Sequence, residues 1–531
     1  MFKVMIRDNM SPIAKEILEA TGKIEVTVDN DKATNTPEAL AEIIKDFDGL
    51  AVRSGTKVKL PVFDKGSKLK VIARAGIGVD NIDVVEATKR GIVVMNAPGG
   101  NTITTAEHAI AMMLAMAREI PQATASMKLG KWEKKKFLGV EITGKILGIV
   151  GLGNIGREVA SRAKGLKMKV VASDPYVTKD AAVKLGVELI SLDELFSKAD
   201  FISMHVPKLE ETRNLIRKEN IEKMKRGVRI INCARGEIID LDDLYEALES
   251  GYVAAAALDV FPEEPPLDMS KGIFIHPNVI LTPHLGASTD EAQVKVAEMI
   301  AHQMADYLIK DVITNAVNFP SISMQAMKYL RPFLQLGERM GSFMGQIIRQ
   351  PNDITITYSG ETTNFDTHVI TNAVLKGLFS SYTDTPVNYV NAPAIAQGKG
   401  VSLEEISSRE AKDYTNLISI KFPNINDELD EIMGTVFSQK EQRIVRLGNI
   451  NMDAIPKGWM IVIRNYDRTG VIGNIGSTLA KYDINISKFH LGSSDGKAIC
   501  IVNVDHAANE QVISELKTLP NIIDAKCAYL D

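Results

Sequence analysis

The sequence is poor in cysteine and in long apolar runs, and its charges nearly balance. Its 3 cysteines, Cys233, Cys500 and Cys527, are too few and too scattered for a disulfide framework or a zinc site, which favours a reducing compartment. No segment approaches the roughly 20 apolar residues that span a bilayer, and the first residues enter a strand without a targeting segment. A net charge of −5 spread over both signs predicts no contact with nucleic acid or membrane. We therefore expect a cytoplasmic protein, and the sequence predicts no metal site.

The sequence does contain a repeated alternation of strands and helices. Its 531 residues predict roughly three or four domains. Over residues 1–97 the alternation is typical of a parallel α/β sheet, with strands at 3–6, 50–52, 71–73 and 93–95 and helices at 12–21 and 37–47. A helix over 101–118 is apolar nearly all round, so we expect it in a core or at the interface of a homodimer or homotetramer. A further helix, 290–308, is expected to return to the first domain.

A glycine-rich turn follows the apolar strand 146–150. Gly151, Gly153 and Gly156 surround Leu152, Asn154 and Ile155 in the pattern G-x-G-x-x-G, and a helix is predicted over 157–167. The three glycines permit the tight turn, the approach of backbone amides to a pyrophosphate and close packing of helix on strand. A second strand, 169–172, leads to Asp174, about twenty residues further on, where a carboxylate binds ribose hydroxyls and repels a 2′-phosphate. The segment predicts an NAD site that includes Asn154 and Ile155.

The pattern alone is weak evidence, because Gly-Asn-Ile-Gly recurs at 473–476. There a turn separates the glycines from the preceding strand, and no second strand ends in an acid at the expected spacing. We expect this copy only to open a helix.

Three segments downstream of the turn carry chemistry suited to a 2-hydroxy or 2-oxo acid. They are Asn-Cys-Ala-Arg-Gly-Glu (232–237), Asp-Val-Phe-Pro-Glu-Glu-Pro-Pro (259–266) and Thr-Pro-His-Leu-Gly-Ala-Ser-Thr (282–289). Arg235 suits carboxylate binding, because the guanidinium fork is bidentate and permanently charged. Histidine suits proton transfer at the C2 oxygen, and a carboxylate on its other ring nitrogen fixes the tautomer, so His284 is the candidate. The structural alternatives are a surface charge for Arg235 and an ordinary histidine, one of 8, for His284.

These segments and four others resemble the D-isomer-specific 2-hydroxyacid dehydrogenases over residues 1 to about 315. The four are Val-Arg-Ser-Gly-Thr-Lys-Val (52–58), Ala-Arg-Ala-Gly-Ile-Gly-Val-Asp-Asn-Ile-Asp (73–83), Asn-Ala-Pro-Gly-Gly-Asn-Thr (96–102) and Gly-Lys-Trp-Glu-Lys-Lys-Lys-Phe (130–137). The resemblance implies two doubly wound, Rossmann-like lobes with a cleft between them. It implies a discontinuous substrate-binding lobe, 1–97 and 287–317, and an NAD-binding domain, 98–286. It also selects Glu264, immediately before the first proline of its pair, to orient His284.

The same resemblance implies further binding residues. For the cofactor they are Cys233, Ala234 and Asp259, the last near the nicotinamide amide, and the position of His205 and Pro207 at the end of a strand makes them further candidates. For the substrate they are Arg53, Ser54, Arg74, Gly76, Asn96, Asn101 and Lys134. Arg53 and Arg74 are the candidates for a substrate phosphate, although Arg74 could only brace its loop. Lys134 belongs to a basic run that is either a solvated surface or reaches the phosphate pocket of a partner subunit.

The residues beyond 317 divide into two further domains. Residues 456–531 predict the order βαββαβ of a ferredoxin-like layer, with elements at 459–464, 471–481, 484–491, 498–504, 510–516 and 522–529. They resemble the ACT domain, a regulatory module that binds amino acids. Residues 318–455 resemble the α+β intervening domain of longer family members, with strands at 353–358, 417–422 and 443–447 and a loop-like segment at 392–400.

The ACT resemblance implies L-serine as an effector, bound between two copies of the domain. Asp467, in the first strand-to-helix turn, is the candidate for its ammonium group. Asn465 and Asn485 offer amides that both donate and accept hydrogen bonds. Thr469 replaces the proline common in that turn, and the alternative is that these residues only cap the helix at Val471.

The expected reaction is NAD-dependent oxidation of D-3-phosphoglycerate to 3-phosphohydroxypyruvate, the first step of phosphorylated serine biosynthesis, with feedback by serine. This follows from the resemblance, which is greatest to family members that act on that substrate. One alternative keeps the chemistry but uses glycerate, lactate or 2-hydroxyglutarate. The other is a dehydrogenase-like scaffold that only senses NAD. The ACT-like domain at the carboxyl terminus disfavours this second alternative.

Overall fold

The computed structural model describes residues 1–320, 324–411, 413–425 and 428–531. Its strands form four sheets, each built from one continuous part of the chain. The first part contains β1 (Phe2–Ile6), β2 (Ile24–Val28), β3 (Gly49–Val52), β4 (Val71–Arg74) and β5 (Val93–Asn96), with helices α1 (Ile13–Ala20), α2 (Pro37–Ile43), α3 (Leu60–Lys65) and α4 (Val84–Lys89). All its strands are parallel, in the doubly wound order β2-β1-β3-β4-β5. We call this part the first lobe.

A second, larger parallel sheet forms the second lobe. Its strands are β6 (Ile146–Val150), β7 (Lys169–Ser173), β8 (Glu188–Leu189), β9 (Phe201–Met204), β10 (Val228–Asn232), β11 (Val253–Leu258) and β12 (Val279–Leu281). Two helices precede it, α5 (Thr102–Ala117) and α6 (Ile120–Lys128), and its own are α7 (Asn154–Gly165), α8 (Lys179–Lys184), α9 (Leu192–Lys198), α10 (Lys218–Ile221) and α11 (Leu241–Glu249). The order β12-β11-β10-β9-β6-β7-β8 places the glycine turn after β6, where the winding direction changes. Ligands bind at such a switch point in open α/β sheets.

Two long helices connect the lobes. Helix α5 packs on α7 and on the second sheet, whereas α12 (Asp290–Lys310) packs on α1 and β4, so the predicted return of this helix to the first lobe is confirmed. The burial predicted for α5 holds for most of its length, but Ile103, Glu107 and Ala111 are exposed. Helix α2 ends at Ile43, short of the predicted residue 47, because the chain turns there to enter β3.

The third part is a mixed sheet covered by two tightly packed helices. Its elements are α13 (Met324–Ile347), β13 (Asp353–Gly360), α14 (His368–Phe379), α15 (Ala392–Gly398), β14 (Ser402–Ser408), β15 (Asn416–Lys421), β16 (Glu431–Phe437), β17 (Glu441–Leu447) and β18 (Ile450–Ala454). The three strands predicted here are confirmed. The prediction of a loop over 392–400 was wrong: Pro393 lies in the first turn of α15, where proline is compatible with a helix, and Ala392 and Ala396 are buried.

The last part confirms the predicted order βαββαβ. It consists of β19 (Gly458–Tyr466), α16 (Val471–Lys481), β20 (Ile486–Ser494), β21 (Lys497–Val504), α17 (Glu510–Thr518) and β22 (Ile522–Leu530). Strand β20 begins two residues later than predicted, after Asp483, which adopts a left-handed conformation (φ 58°). The second Gly-Asn-Ile-Gly lies in the first turns of α16, as predicted. Among the described residues, no helix is both long and apolar enough to cross a membrane.

Candidate active site

The predicted site residues lie at the carboxyl edges of the two parallel sheets. In the first lobe Arg53 follows β3, while Arg74 and Asn96 are the last residues of β4 and β5. In the second lobe Arg235 follows β10 and His284 follows β12. The edges meet, because Nε of Arg235 donates to Oδ2 of Asp80, in the loop after β4, over 3.1 Å. The two edges therefore line one cleft.

The glycine turn has the geometry that a dinucleotide requires. Gly151 has φ 92°, and a β-carbon there would lie 2.6 Å from the carbonyl oxygen of His205. At Gly156 a β-carbon would lie 2.1 Å from the oxygen of Gly151, so helix and turn pack closely. A β-carbon on Gly153 would meet nothing within 4 Å, and this open space is where a diphosphate can approach. Helix α7 begins at Asn154, earlier than predicted, so its amino terminus faces the turn.

Asp174 and the loop after β9 lie beside this turn. The carboxylate of Asp174 accepts hydrogen bonds from the amides of Leu152 (2.7 Å) and Tyr176 (2.8 Å), which fixes it at the end of β7. His205 shares a hydrogen bond of 2.8 Å with Ser203, and its burial lowers the pKa of the imidazole to about 4. The ring is therefore neutral near pH 7. Pro207 lies in the same loop, where its carbonyl accepts from Thr212 over 2.7 Å.

His284 and Glu264 form a direct pair. Nδ1 of His284 lies 2.6 Å from Oε2 of Glu264, while Oε1 accepts from the amide of Phe261 over 3.1 Å. The two side chains are 40% and 36% exposed, so they face solvent in the cleft. Because Nδ1 is engaged by the carboxylate, Nε2 is the nitrogen available to a substrate. The left-handed backbone of His284 (φ 55°) turns the chain at this point.

Asp259 supports the turn that carries His284. Its carboxylate is 1% exposed and accepts hydrogen bonds from Oγ1 of Thr282 (2.6 Å) and from the amides of Leu285 (2.7 Å) and Gly286 (2.8 Å). Burial alone would raise its pKa, but hydrogen bonds from His108, Thr282 and Leu285 hold the pKa of the Asp259 carboxyl below its usual range. In this structure the carboxylate faces protein donors, and contact with a nicotinamide amide stays a prediction.

Cys233 and Ala234 lie between β10 and Arg235. The thiol of Cys233 is buried against Met112, and burial raises its pKa. The amide of Ala234 donates to Oδ1 of Asn232 over 3.0 Å. Possible ligand atoms of Cys233, Asp259 and His108 lie within 4.8 Å of one another. Since protein donors already occupy both oxygens of Asp259 and the thiol stays protonated, we interpret this group as a hydrogen-bonded core.

Three arginines converge on the first-lobe side of the cleft. Burial, and then repulsion from Arg235, lower the pKa of Arg74 to about 10. Its Nε is buried without a hydrogen-bond partner among the described residues. A β-carbon on Gly76 would lie 2.4 Å from Nη1 of Arg74 and would displace this guanidinium. Arg53 donates its backbone amide to Asp8 over 2.8 Å, and Ser54 is exposed next to it.

Of the other predicted substrate residues, Asn96 and Asn101 lie at the cleft, whereas Lys134 lies away from it. Asn96 donates to the carbonyl of Ile77 over 2.7 Å, which ties the end of β5 to the loop after β4. Asn101 precedes the first residue of α5, and its Oδ1 is buried with no partner in the described part of the chain. Lys134 is exposed, and among the described residues of one chain it makes no contact with the cleft. Its proposed role requires a second subunit.

Sequence reasoning missed three residues that shape the cleft. Asp8 accepts from the amides of Arg53 and Thr56 and from Oγ1 of Thr56 (2.8, 3.1 and 2.7 Å). Asn81 donates to the carbonyls of the same two residues (2.8 and 2.7 Å), so the loop that carries Arg53 is fixed from both sides. Asp80 pairs with Arg235. The available signal for Asp8 was its position just beyond β1, at the same sheet edge as Arg53.

The predicted effector residues lie at one end of the last sheet. Asn465 is buried, donates to the carbonyl of Tyr466 (2.8 Å) and accepts from the thiol of Cys500 (3.5 Å). Asp467 is exposed, and the amide of Asn485 donates to Asp505 over 3.1 Å. The structure shows no contact of Asn485 with Asn465 or Asp467 among the described residues. The capping alternative was wrong, because Gly470 occupies the N-cap of α16 without a side-chain hydrogen bond.

A dinucleotide turn, a histidine–carboxylate pair and a group of arginines in one interlobe cleft define an NAD-dependent dehydrogenase of hydroxy acids. Family models agree. Residues 110–286 match the NAD binding domain of D-isomer specific 2-hydroxyacid dehydrogenases. Residues 329–448 match the D-3-phosphoglycerate dehydrogenase intervening domain, and residues 459–521 match the ACT domain.

Full-length relatives identify the branch of the family. The chain is 43% identical to D-3-phosphoglycerate dehydrogenase of Methanocaldococcus jannaschii and 40% identical to that of Bacillus subtilis, each time over 99% of both chains. The structure of D-lactate dehydrogenase from Aquifex aeolicus, complexed with NAD and lactic acid, matches 60% of this chain and 100% of its own with 29% identity and a TM-score of 0.52. The chain belongs to the D-3-phosphoglycerate dehydrogenase family, within the D-isomer specific 2-hydroxyacid dehydrogenases.

Proposed function

We propose that this chain oxidises D-3-phosphoglycerate at C2 to 3-phosphohydroxypyruvate, the first step of phosphorylated L-serine biosynthesis. The names of its full-length relatives support this substrate. The glycine turn fits NAD, with Gly153 open to the diphosphate and Asp174 held at the second strand. When bound, NAD supplies the acceptor for the hydride that leaves C2.

Three residues of the chain bind the substrate carboxylate, transfer the proton and orient the histidine. Arg235 binds the carboxylate and polarises the C2 oxygen, because its fork matches two carboxylate oxygens. Nε2 of His284 takes the proton of the C2 hydroxyl. Glu264, 2.6 Å from Nδ1, orients the ring and stabilises the imidazolium that results. For the reverse reaction the same histidine returns the proton.

The observation that carries the choice of substrate is Nε of Arg74, which is buried without a hydrogen-bond partner among the described residues. An arginine with a buried, unpartnered Nε and a pKa lowered to about 10 is costly for the free protein. An anion bound there would accept a hydrogen bond from Nε and offset this unfavourable free energy. Arg235 serves the carboxylate, so Arg74 and Arg53 are available for a second anionic group, the phosphate.

Substitution of these two arginines tests the assignment. Arg53→Gln and Arg74→Gln should each reduce kcat/KM for D-3-phosphoglycerate by about 10- to 100-fold, because a charge-assisted hydrogen bond is lost. Activity on D-glycerate, which lacks the phosphate, should change far less. Arg217→Gln is the matched control, since Arg217 is 54% exposed and pairs with the exposed Glu219. Equal losses on both substrates would contradict a phosphate site at these residues.

We also propose that the chain forms at least a homodimer, in the cytoplasm. The segment 120–138 exposes several large apolar side chains: Ile120 (52%), Met127 (54%), Leu129 (72%), Trp132 (81%) and Leu138 (82%). Such a patch is typical of a subunit interface, and Lys134 lies within it. The cysteines are all free, as is usual in the cytoplasm.

A second copy is also what the proposed serine site needs. Asp467 and Asn465 on one chain and Asn485 on another would together bind the zwitterion and hydroxyl of L-serine. Serine should therefore inhibit the intact enzyme, and Asp467→Asn or Asn485→Ala should weaken this inhibition without lowering activity in its absence. Asn474→Ala, exposed on α16, is the control. Light scattering that shows a monomer, or no calorimetric binding at millimolar serine, would contradict the proposal.

A further inference from the structure

Arg235 is held from the opposite side of the cleft. It follows β10 in the second lobe, yet its Nε donates to Oδ2 of Asp80 in the first lobe, 155 residues away in sequence, over 3.1 Å. This ion pair joins the two lobes at the residue to which we assign the substrate carboxylate.

The contacts of Arg235 take Nε and one N–H of Nη1, which leaves the other N–H of Nη1 and both of Nη2 for the two oxygens of a carboxylate. Nε is taken by Asp80, and Nη1 donates to the carbonyl of Ala234 over 2.7 Å. No residue that the structure describes accepts from Nη2. This nitrogen lies over Gly78, where a β-carbon would be only 1.8 Å away. Because the nearest atom is the tip of a long side chain, a side chain at position 78 would displace the guanidinium and leave the fold intact.

Asp80 is also the counterion of Arg74 and Arg235, whose positive charges lie close together. Burial and repulsion from Arg235 lower the pKa of Arg74, while the charge of Asp80 acts in the opposite direction. The carboxylate is itself 59% exposed, and an ion pair so exposed adds little to folding stability. Removal of Asp80 should therefore change the position of Arg235 without unfolding the lobe.

We propose that Asp80 is a positioning residue for the carboxylate clamp. It holds Nε so that the Nη edge of Arg235 is presented to the substrate, and Gly78 provides the space that this orientation needs. Because Asp80 and Arg235 belong to different lobes, Arg235 is held in this position only when the two lobes are as close as they are in this structure. The inference rests on the proposed function of Arg235 as the carboxylate-binding residue.

Three variants and a control test the inference. Asp80→Ala should lower kcat/KM by about 10- to 100-fold, as expected for a misplaced binding group. Asp80→Asn keeps an oxygen that can accept from Nε and should restore most of the loss. Gly78→Ala should resemble Asp80→Ala. Gly165→Ala should match the wild type, because Gly165 is exposed and an added β-carbon meets nothing within 4 Å.

A double-mutant cycle shows whether Asp80 acts through Arg235. In an Arg235→Lys background, Asp80→Ala should cause little further loss, since the group to be positioned is already altered. The inference is overturned if Asp80→Ala keeps or raises kcat/KM, which would make Asp80 a competitor of the substrate carboxylate. It is also overturned if the loss of kcat/KM in the double variant equals the product of the losses in Asp80→Ala and Arg235→Lys. Unfolding curves of all variants should coincide with that of the wild type.

The choice of substrate separates this inference from the proposed function. If the wild type fails to oxidise D-3-phosphoglycerate, the proposed substrate is wrong. The same variants are then measured on whichever 2-hydroxy acid the wild type does oxidise. Every such acid carries the carboxylate that Arg235 would bind, so the prediction for Asp80 and Gly78 stands or fails by itself.

Discussion

The carboxylate beside His284 determines what this histidine can do. Since Glu264 engages Nδ1 and the amide of Phe261 fixes Glu264, the ring has one orientation and one free nitrogen. Asp259 holds the turn beneath it through two backbone amides and Thr282. The proton carrier is thus supported by groups from the segment after β11 and from the turn after β12.

Removal of the proton carrier should be the most damaging single change. His284→Ala should lower kcat by about 100- to 10,000-fold at saturating NAD, the usual contribution of a general base. Glu264→Gln should cause a smaller loss, because an amide oxygen can still accept from Nδ1 but carries no charge to stabilise the imidazolium. Steady-state turnover measures both. Wild-type turnover in His284→Ala would show that another group moves the proton.

The site residues that belong to short, recognisable segments could be predicted from the sequence. Those whose role depends on a partner far away in the sequence could not. Arg235, Glu264 and His284 each follow a strand and belong to recognisable segments. Asp80 lies within the segment 73–83, which resembles the family, but its partner is 155 residues away. Nothing local indicates such a pair. For Asp259 the position at the end of β11 was predictable, whereas the inward direction of its carboxylate depends on the turn after β12.

Two helices of the intervening part show how close packing depends on glycine. Helices α13 and α14 lie so near each other that a β-carbon on Gly341 would be 2.1 Å from the carbonyl of Val374. A β-carbon on Gly377 of α14 would likewise be 2.0 Å from the carbonyl of Glu338. Backbone atoms cannot move aside as a side chain can. The glycines therefore set the distance between the helices.

Gly341→Ala should separate the two helices and destabilise this part of the chain. We expect a loss of about 1–3 kcal/mol, the usual cost of overpacking. Gly473→Ala, on α16, is the matched control, because its β-carbon meets nothing within 4 Å and alanine favours a helix. The urea midpoint followed by circular dichroism measures both variants. An unchanged midpoint for Gly341→Ala would mean that the helices adjust without cost.

The elements of this part were the hardest to predict from the sequence. Its three predicted strands are present, but the sequence did not predict the long helix α13, and it predicted a loop where α15 lies. Helix α13 contains Pro332 and several glycines, residues that ordinarily argue against a helix. Its stability comes from packing on α14 and on the sheet, which a local pattern does not contain.

At the scale of the whole molecule, the intervening part touches both of its neighbours. Asn318 bonds to Thr88, Ile92 and Val94 of the first lobe, and Asn388 donates to the carbonyl of Gly91 over 2.7 Å. At the other end, Gln346 of α13 exchanges two hydrogen bonds with the backbone of Tyr529 in β22. Hydrogen bonds thus join the intervening part to the first lobe on one side and to the ACT domain on the other. The sequence predicted the order of the parts, but not these contacts.

The substrate itself provides the most direct test of the account. NAD-dependent oxidation by the wild type should be compared across D-3-phosphoglycerate, D-glycerate and D-lactate under identical conditions. The account predicts the highest kcat/KM for D-3-phosphoglycerate, by about 10- to 100-fold for each arginine contact that the other acids lack. Equal or faster oxidation of an unphosphorylated acid, or no oxidation of D-3-phosphoglycerate at all, would contradict it.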